Sequence, residues 1–440
     1  MAEGTRKSET TRVLRSGLLV LLGASTFSLA QSPPSIDTAK AQAAFVEAQE
    51  MSAKDNGRLW GKPLYGPMVF VDPATRAAVA NGPDAGGVLH QDGGVYVGVW
   101  PKDVVVANTA LEWEGKRWTM VMWPLPQNSQ PRDRLLAHEL FHRLQPDLSI
   151  PLANPENAQL DTLEGRVWLQ LEWRGLAVAL VESGAAQTQA IRDALAFARH
   201  RHELFPGSAE TERSLTLNEG LAEYTGVAAS APDAASAPWR TITRLTSPDA
   251  DTFVRSFAYA SGPAYGLLLD ERLPGWRSQI KSTSDLTVLL GGTVPSSPVV
   301  PVEQRALVYG AAALRITETE RDVRTQAERA RYRKLLVDGP TLTLPDSGKF
   351  LYTFNPNEVV TLPGFGTVFP MTTVSDEWGT VDVPDGGALL ATDRHSVRLA
   401  APASGGGPQV KGPNWTLDLA PGWKMVPTEK AGSFTLQKKQ

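Results

Sequence analysis

The chain has 440 residues, no cysteine and a formal net charge of −4 at neutral pH. Disulfides, iron–sulfur clusters, Cys-held metals and thiol nucleophiles are therefore excluded together. The mild acidity, with no run of Lys and Arg outside the extreme N-terminus, argues against nucleic acid as a partner, because neutralising phosphates needs a basic face.

Hydrophobic residues make up 42% of the chain and charged residues 20%, ordinary for a soluble globular protein of two or three domains. The N-terminus is distinct. Arg6, Lys7, Arg12 and Arg15 precede an apolar run over residues 17–29, and Ser28 and Ala30 place small side chains at a cleavage site. Residues 1–30 read as a signal peptide, so the mature protein is expected outside the cytoplasm, periplasmic or extracellular. The run is too short to span a bilayer, and no later run is long enough. Residues 31–60 read as a leader with Pro33 and Pro34, then a helix over 39–55 packed on the next domain.

Residues 61–126 have the texture of strands, expected at 67–71, 94–99, 103–109 and 117–122. Gly86-Gly87, Asp92-Gly93 and Glu114-Gly115 supply turns. An antiparallel or mixed sheet is expected. Pro131 suits the first turn of a helix that runs to Gln145 and stops at Pro146. The chain then stays mainly helical to residue 338, with helices expected over 161–182, 188–204, 210–227, 263–272 and 302–336. The charged face of the last reads as solvated surface. From residue 340 to 440 short strands return, at 351–354, 359–362, 380–383, 396–399, 415–417 and 433–436, with a Gly-rich loop at 404–408. That stretch reads as a β-sandwich-like module. The fold class is α+β: a mixed sheet, a mainly helical region, and a C-terminal all-β module.

The chemistry concentrates in His138-Glu139-Leu140-Phe141-His142, which uses two of the six histidines. Residues four apart share one face of a helix, so both imidazoles can reach one metal ion. Glu139, at the edge of that face, can reach a water on the ion. Zinc with three protein ligands keeps its fourth position for water and brings that water's pKa near neutrality. Glu139 can then take the proton as the water attacks a carbonyl. His202-Glu203-Leu204-Phe205 repeats the string, but Pro206 follows and no second His is present. The echo reads as accidental.

A third ligand is needed. Gln145 and Leu148 stand where HExxHxxGxxH requires Gly and His, which leaves a carboxylate from a second helix. Leu217-Asn218-Glu219-Gly220-Leu221-Ala222 resembles the NExxA segment of gluzincins, the zinc peptidases that include thermolysin-like proteases and the aminopeptidase N group. The resemblance covers about residues 103–270, inside a catalytic region expected over residues 61–338, and implies Glu219 as third zinc ligand with Asn218 fixing the edge of the site. It also makes Glu223 an acceptor for a ligand His N–H. His142 to Glu219 is longer than the gluzincin spacing, so helices must be inserted between them. Glu164, nearer the usual distance, is the rival ligand; the Asn-Glu-x-x-Ala context favours Glu219. Tyr259-Ala260-Ser261-Gly262 is similar to the YxxG segment whose Tyr hydroxyl stabilises the oxyanion. Tyr224 and Tyr265 are alternatives.

The GxMEN strand that grips a free N-terminus is absent, so the resemblance does not imply aminopeptidase specificity. An edge strand at 103–109 or 117–122 would bind an extended peptide. Trp100, Trp113, Trp118 and Trp123 are expected in the core. No phosphate-binding glycine loop, EF-hand loop or serine elbow is present. The expectation is an exported zinc peptidase with peptides or proteins as substrates. The alternative is a non-catalytic or non-peptidase zinc protein on the same scaffold, with residues 340–440 serving binding.

Overall fold

The apolar string Met68–Val71 is buried on both faces, which suits the middle of a sheet. The computed structural model describes residues 36–439 apart from 234, 249–251, 297–299, 355–357 and 403–406. The expected signal peptide, the leader prolines and most of the loop expected at 404–408 lie outside the described residues. Met68–Val71 lies inside a six-stranded sheet, between Ala77–Ala80 and Lys116–Met122. Its pairing with Lys116–Met122 is parallel and the others are antiparallel, so the sheet is mixed.

Alternation along the strands divides the core. Met68, Phe70, Val79 and Val121 face the helices, while Val69, Val71, Ala78 and Met120 face a cluster with Trp100, Trp113 and Trp118. These three tryptophans are core, as expected, and Trp123 is partly buried against the helical side. The helix Thr38–Asp55 starts at Asp37, whose carboxylate accepts the Lys40 N–H at 3.1 Å. It packs on the sheet by stacking Phe45 on Phe70, centroids 4.5 Å apart.

The strand expected at 103–109 is not one; only Thr109 belongs to a strand, Thr109–Trp113. The Arg76 guanidinium takes the carbonyls of Trp100, Pro101 and Val104, and the Trp100 indole takes that of Val105. These carbonyls are engaged by side chains rather than by a neighbouring strand. Thr109–Trp113 instead forms a hairpin with Lys116–Met122. Its turn residues Glu114 and Gly115 both have positive φ, 48° and 71°, the geometry of a type I′ turn.

The helical part runs through Ser129–Leu144, Leu163–Val181, Gly184–Leu204, Ser208–Leu215, Leu221–Ala229, Ser236–Thr246 and Phe257–Arg272, with Val302–Val308 and Ala311–Arg333 at its end. The helix expected over 210–227 is interrupted by a π turn at Thr216–Gly220. The charged face of Ala311–Arg333 is mostly solvated, but Glu318 is buried against the buried Arg166 at 2.7 Å. No helix among the described residues is long and apolar enough to cross a membrane.

From Thr341 the described elements are all strands, in sheets of seven and five. Leu342, Leu344, Val397 and Leu399 of one sheet share a core with Val374, Val381 and Leu417 of the other. The module leans on the last helix: Tyr332 and Leu336 pack on Val360, Leu362 and Leu389, and Arg329 donates to the Thr361 carbonyl at 3.1 Å.

Candidate metal centre

Ser129–Leu144 carries the HExxH string, with Pro131 in its first turn where a missing N–H costs nothing. Gln145 caps it, and Pro146 falls in a short 3-10 turn that follows. Leu136, Ala137, Leu140, Phe141 and Leu144 are buried with His138, Glu139 and His142. This helix packs on Leu221–Ala229 through a glycine: a Cβ at Gly226 would lie 2.7 Å from the Arg134 carbonyl. A second close approach joins the π turn Thr216–Gly220 to Phe257–Arg272, where a Cβ at Gly262 would lie 2.3 Å from the Gly220 Cα. Small residues at these crossings hold Glu219 and Tyr259 against the two histidines. Asn218 and Glu219 sit in the π turn, an uncommon element found often at functional sites.

The structure brings His138, His142 and Glu219 together. His138 Nε2 and His142 Nε2 are 3.1 Å apart, and Glu219 Oε2 lies 3.5 Å from the first and 3.8 Å from the second. The three side chains are buried and offer one ligand atom each to a common metal ion. Glu164 is elsewhere. Its carboxylate accepts from the Trp168 indole at 3.0 Å and from Arg315 at 2.6 Å, and it sits in the first turn of Leu163–Val181.

Each imidazole is held from behind. Glu223 Oε2 lies 3.0 Å from His138 Nδ1, and Arg134 donates to the other Glu223 oxygen at 2.8 Å. Gln145 Oε1 meets His142 Nδ1, and the Gln145 amide donates to Asn218 Oδ1 at 3.0 Å. Asn218 in turn donates to the Ala153 carbonyl at 2.9 Å. These bonds turn both Nε2 atoms toward the shared point and fix the tautomer. Replacing Glu223 by Ala should weaken metal binding by about tenfold to hundredfold, the usual cost of losing such an orienting group. Competition against a chromophoric chelator checks it; unchanged affinity would remove Glu223 from the site.

Tyr259 stacks on His138, planes 3° and centroids 5.5 Å apart, and its hydroxyl donates to Glu219 Oε2. The alternatives are placed away from the metal ligands. The Tyr224 hydroxyl donates to Asp270 at 2.7 Å and the Tyr265 hydroxyl to Glu172 at 2.8 Å.

The burial of so many ionisable groups moves their protons. Burial pushes Glu139 up to about 7, with the Glu219 and Glu223 charges adding and His138 opposing. Its Oε2 is buried with no hydrogen-bond partner. Burial also disfavours charge on His138, but bonds to Glu219 and Glu223 outweigh it and hold the imidazole up to about 10. Burial and the His138 charge push His142 down to about 4. Glu219 stays well below the carboxylate range; burial opposes this, and the His138 bond with both His charges prevails. Burial and the neighbouring Glu219 push the Tyr259 hydroxyl up.

The group opens on a cleft of about 670 Å³. Ala107, Asn108 and Thr109 line one side, at the start of the edge strand Thr109–Trp113. Lys116–Met122 is paired on both sides and is no edge, which corrects one of the two expected peptide-binding strands. Leu152, Arg244, Arg255 and Phe354 complete the wall, Phe354 coming from the C-terminal strands. Gln145, Arg255 and Phe354 carry no sequence signal of their own. Gln145 alone was within reach of spacing, one helical turn beyond His142.

Fold and site together define a mixed α and β protein with a buried His-His-Glu group able to hold a metal ion. Comparison with protein-family models, curated proteins and solved structures finds no match to this chain.

Proposed function

We propose that the chain is a zinc-dependent peptidase of the gluzincin type, exported by its N-terminal segment. One observation carries the reading. Zinc bound tetrahedrally at about 2.0–2.1 Å from each ligand atom sets those atoms about 3.3 Å apart, and the three distances here are 3.1, 3.5 and 3.8 Å. Two imidazoles and one carboxylate are also a ligand set that suits catalytic zinc, with one position left open.

When bound there, zinc would acidify a water and polarise a substrate carbonyl. The rest falls to the chain. Glu139, buried and with Oε2 lacking a partner, accepts the proton of the attacking water and passes it to the leaving amine; its burial, which favours the protonated form, lets it hold that proton between the two transfers. Tyr259, kept protonated, offers its hydroxyl to the oxyanion once it leaves Glu219. Thr109 begins an edge strand along which an extended peptide can pair. A protein kept only to bind zinc has no chemical need of Glu139.

The test is hydrolysis of casein and of a peptide library by purified protein. Cleavage should disappear with a chelator and return with one equivalent of zinc. Stoichiometric zinc without cleavage of any peptide would end the peptidase reading.

A further inference from the structure

Three guanidinium groups line the cleft: Arg134, Arg244 and Arg255. Two are committed. Arg134 donates to Glu223 at 2.8 Å; Arg255 reaches Asn154 at 2.8 Å and Glu219 at 3.3 Å. Arg244 is different. Among the described residues it has no ion pair and no hydrogen bond; its charge helps to hold the Glu223 carboxyl down, and it lies over the face of Tyr259, 6.0 Å from Cζ to the ring centre. Arg240 lies one turn earlier on the same helix, Ser236–Thr246, and its buried Nη1 has no partner. Like charges four residues apart weaken a helix; Asp233 feels the Arg240 charge and Glu223 that of Arg244, but neither carboxylate makes a hydrogen bond to these two guanidinium groups among the described residues.

The charge balance agrees. The cleft holds the carboxylates of Glu139, Glu219 and Glu223 against Arg134, Arg244 and Arg255. A divalent cation on the histidines leaves positive charge in excess. A guanidinium whose N–H groups make no hydrogen bond in such a wall is a fork for a carboxylate, which it binds through two parallel hydrogen bonds.

Position sets the reach. Arg244 lies 6.0 Å from the Tyr259 ring centre, and His138 lies 5.5 Å from the same centre. The gap from guanidinium to ligand imidazole is therefore no more than an extended peptide crosses in about three residues.

We propose that Arg244 is a carboxylate-binding subsite, selecting substrates with an acid within about three residues of the cleaved bond. The acid is either an Asp or Glu side chain or the free C-terminal carboxylate of the substrate. The assignment rests on the peptidase reading for its biological role, but not for the binding it specifies.

Two pairs of peptides test it on the zinc-loaded full chain. One pair differs by Glu against Gln near the cleaved bond, with the C-terminus blocked; the other by a free C-terminal acid against its amide. Wild type should favour the acid in one pair by about tenfold to hundredfold in kcat/KM, the range for a charge-assisted hydrogen bond, and the pair that responds identifies the source. Arg244→Gln should bring that ratio close to one, and Arg244→Lys should keep part of it. Circular dichroism and zinc content control for folding. The same ratios are read as Kd in the Glu139→Gln background, where no turnover is needed. If no peptide is cleaved, the peptidase reading fails and the Kd ratios still decide the subsite. Absence of discrimination in both pairs, or discrimination that survives Arg244→Gln, overturns the proposal.

Discussion

Glu139→Gln should lower kcat/KM on a cleaved peptide by about a hundredfold to ten-thousandfold, the share usually supplied by a general acid–base group, while zinc content stays at one per chain. Gln has nearly the shape of Glu, and position 139 holds no metal ligand among the described residues. The amide can neither take nor return a proton. The same substitution has a stability signature of definite sign in the metal-free protein. Folding raises the Glu139 pKa from its ordinary value to about 7. The native state therefore holds a proton that the unfolded chain releases, and the wild type loses stability as pH rises from about 4.5 to 7. Gln does not titrate. Melting at pH 5 and at pH 8 should show the variant gaining on wild type at the higher pH. Equal activity in variant and wild type would remove Glu139 from the chemistry.

What the sequence made legible is what lies within one turn of helix. His138, Glu139 and His142 declare themselves because four-residue spacing on a helix is a geometric statement by itself. Glu219 does not: its approach depends on helices inserted after His142 and on Gly220, Gly226 and Gly262, whose missing side chains let three helices cross closely. Only the likeness of its flanking residues singled it out from Glu164. Residues 103–109 show the opposite failure, a β-branched run that is no strand, with the Val104 carbonyl taken by Arg76, far upstream, and the Val105 carbonyl by the Trp100 indole. The helix Ser236–Thr246 was hidden by its own composition. Pro238, Thr241, Ile242 and Thr243 lower helix propensity, yet Pro238 falls in the first turn, where it is tolerated. That helix delivers Arg244 to the cleft, and the C-terminal strands deliver Phe354. Both arrivals are tertiary, and no local pattern announces them.

Glu219→Ala should strip the metal more thoroughly than Glu223→Ala, exceeding the tenfold to hundredfold loss typical of an orienting group, because it removes a ligand atom rather than its support. Glu164→Gln should leave zinc content unchanged, since Glu164 is engaged with Arg315 and Trp168. Proton release separates a ligand from a bystander further. In the metal-free protein His138 is held protonated up to about 10, while His142, at about 4, is already neutral. Loading zinc at neutral pH should therefore displace a proton from His138, with a further fraction from Glu139, and zinc affinity should rise with pH over about pH 5 to 9. Glu219 is one of the two carboxylates whose hydrogen bonds raise His138. Without it the His138 pKa moves back toward its ordinary value, and the pH dependence of whatever weak binding remains should flatten above neutrality. Calorimetric titration in two buffers of different ionisation enthalpy counts the protons directly. Zinc retained by Glu219→Ala and lost by Glu164→Gln would reverse the assignment of the third ligand.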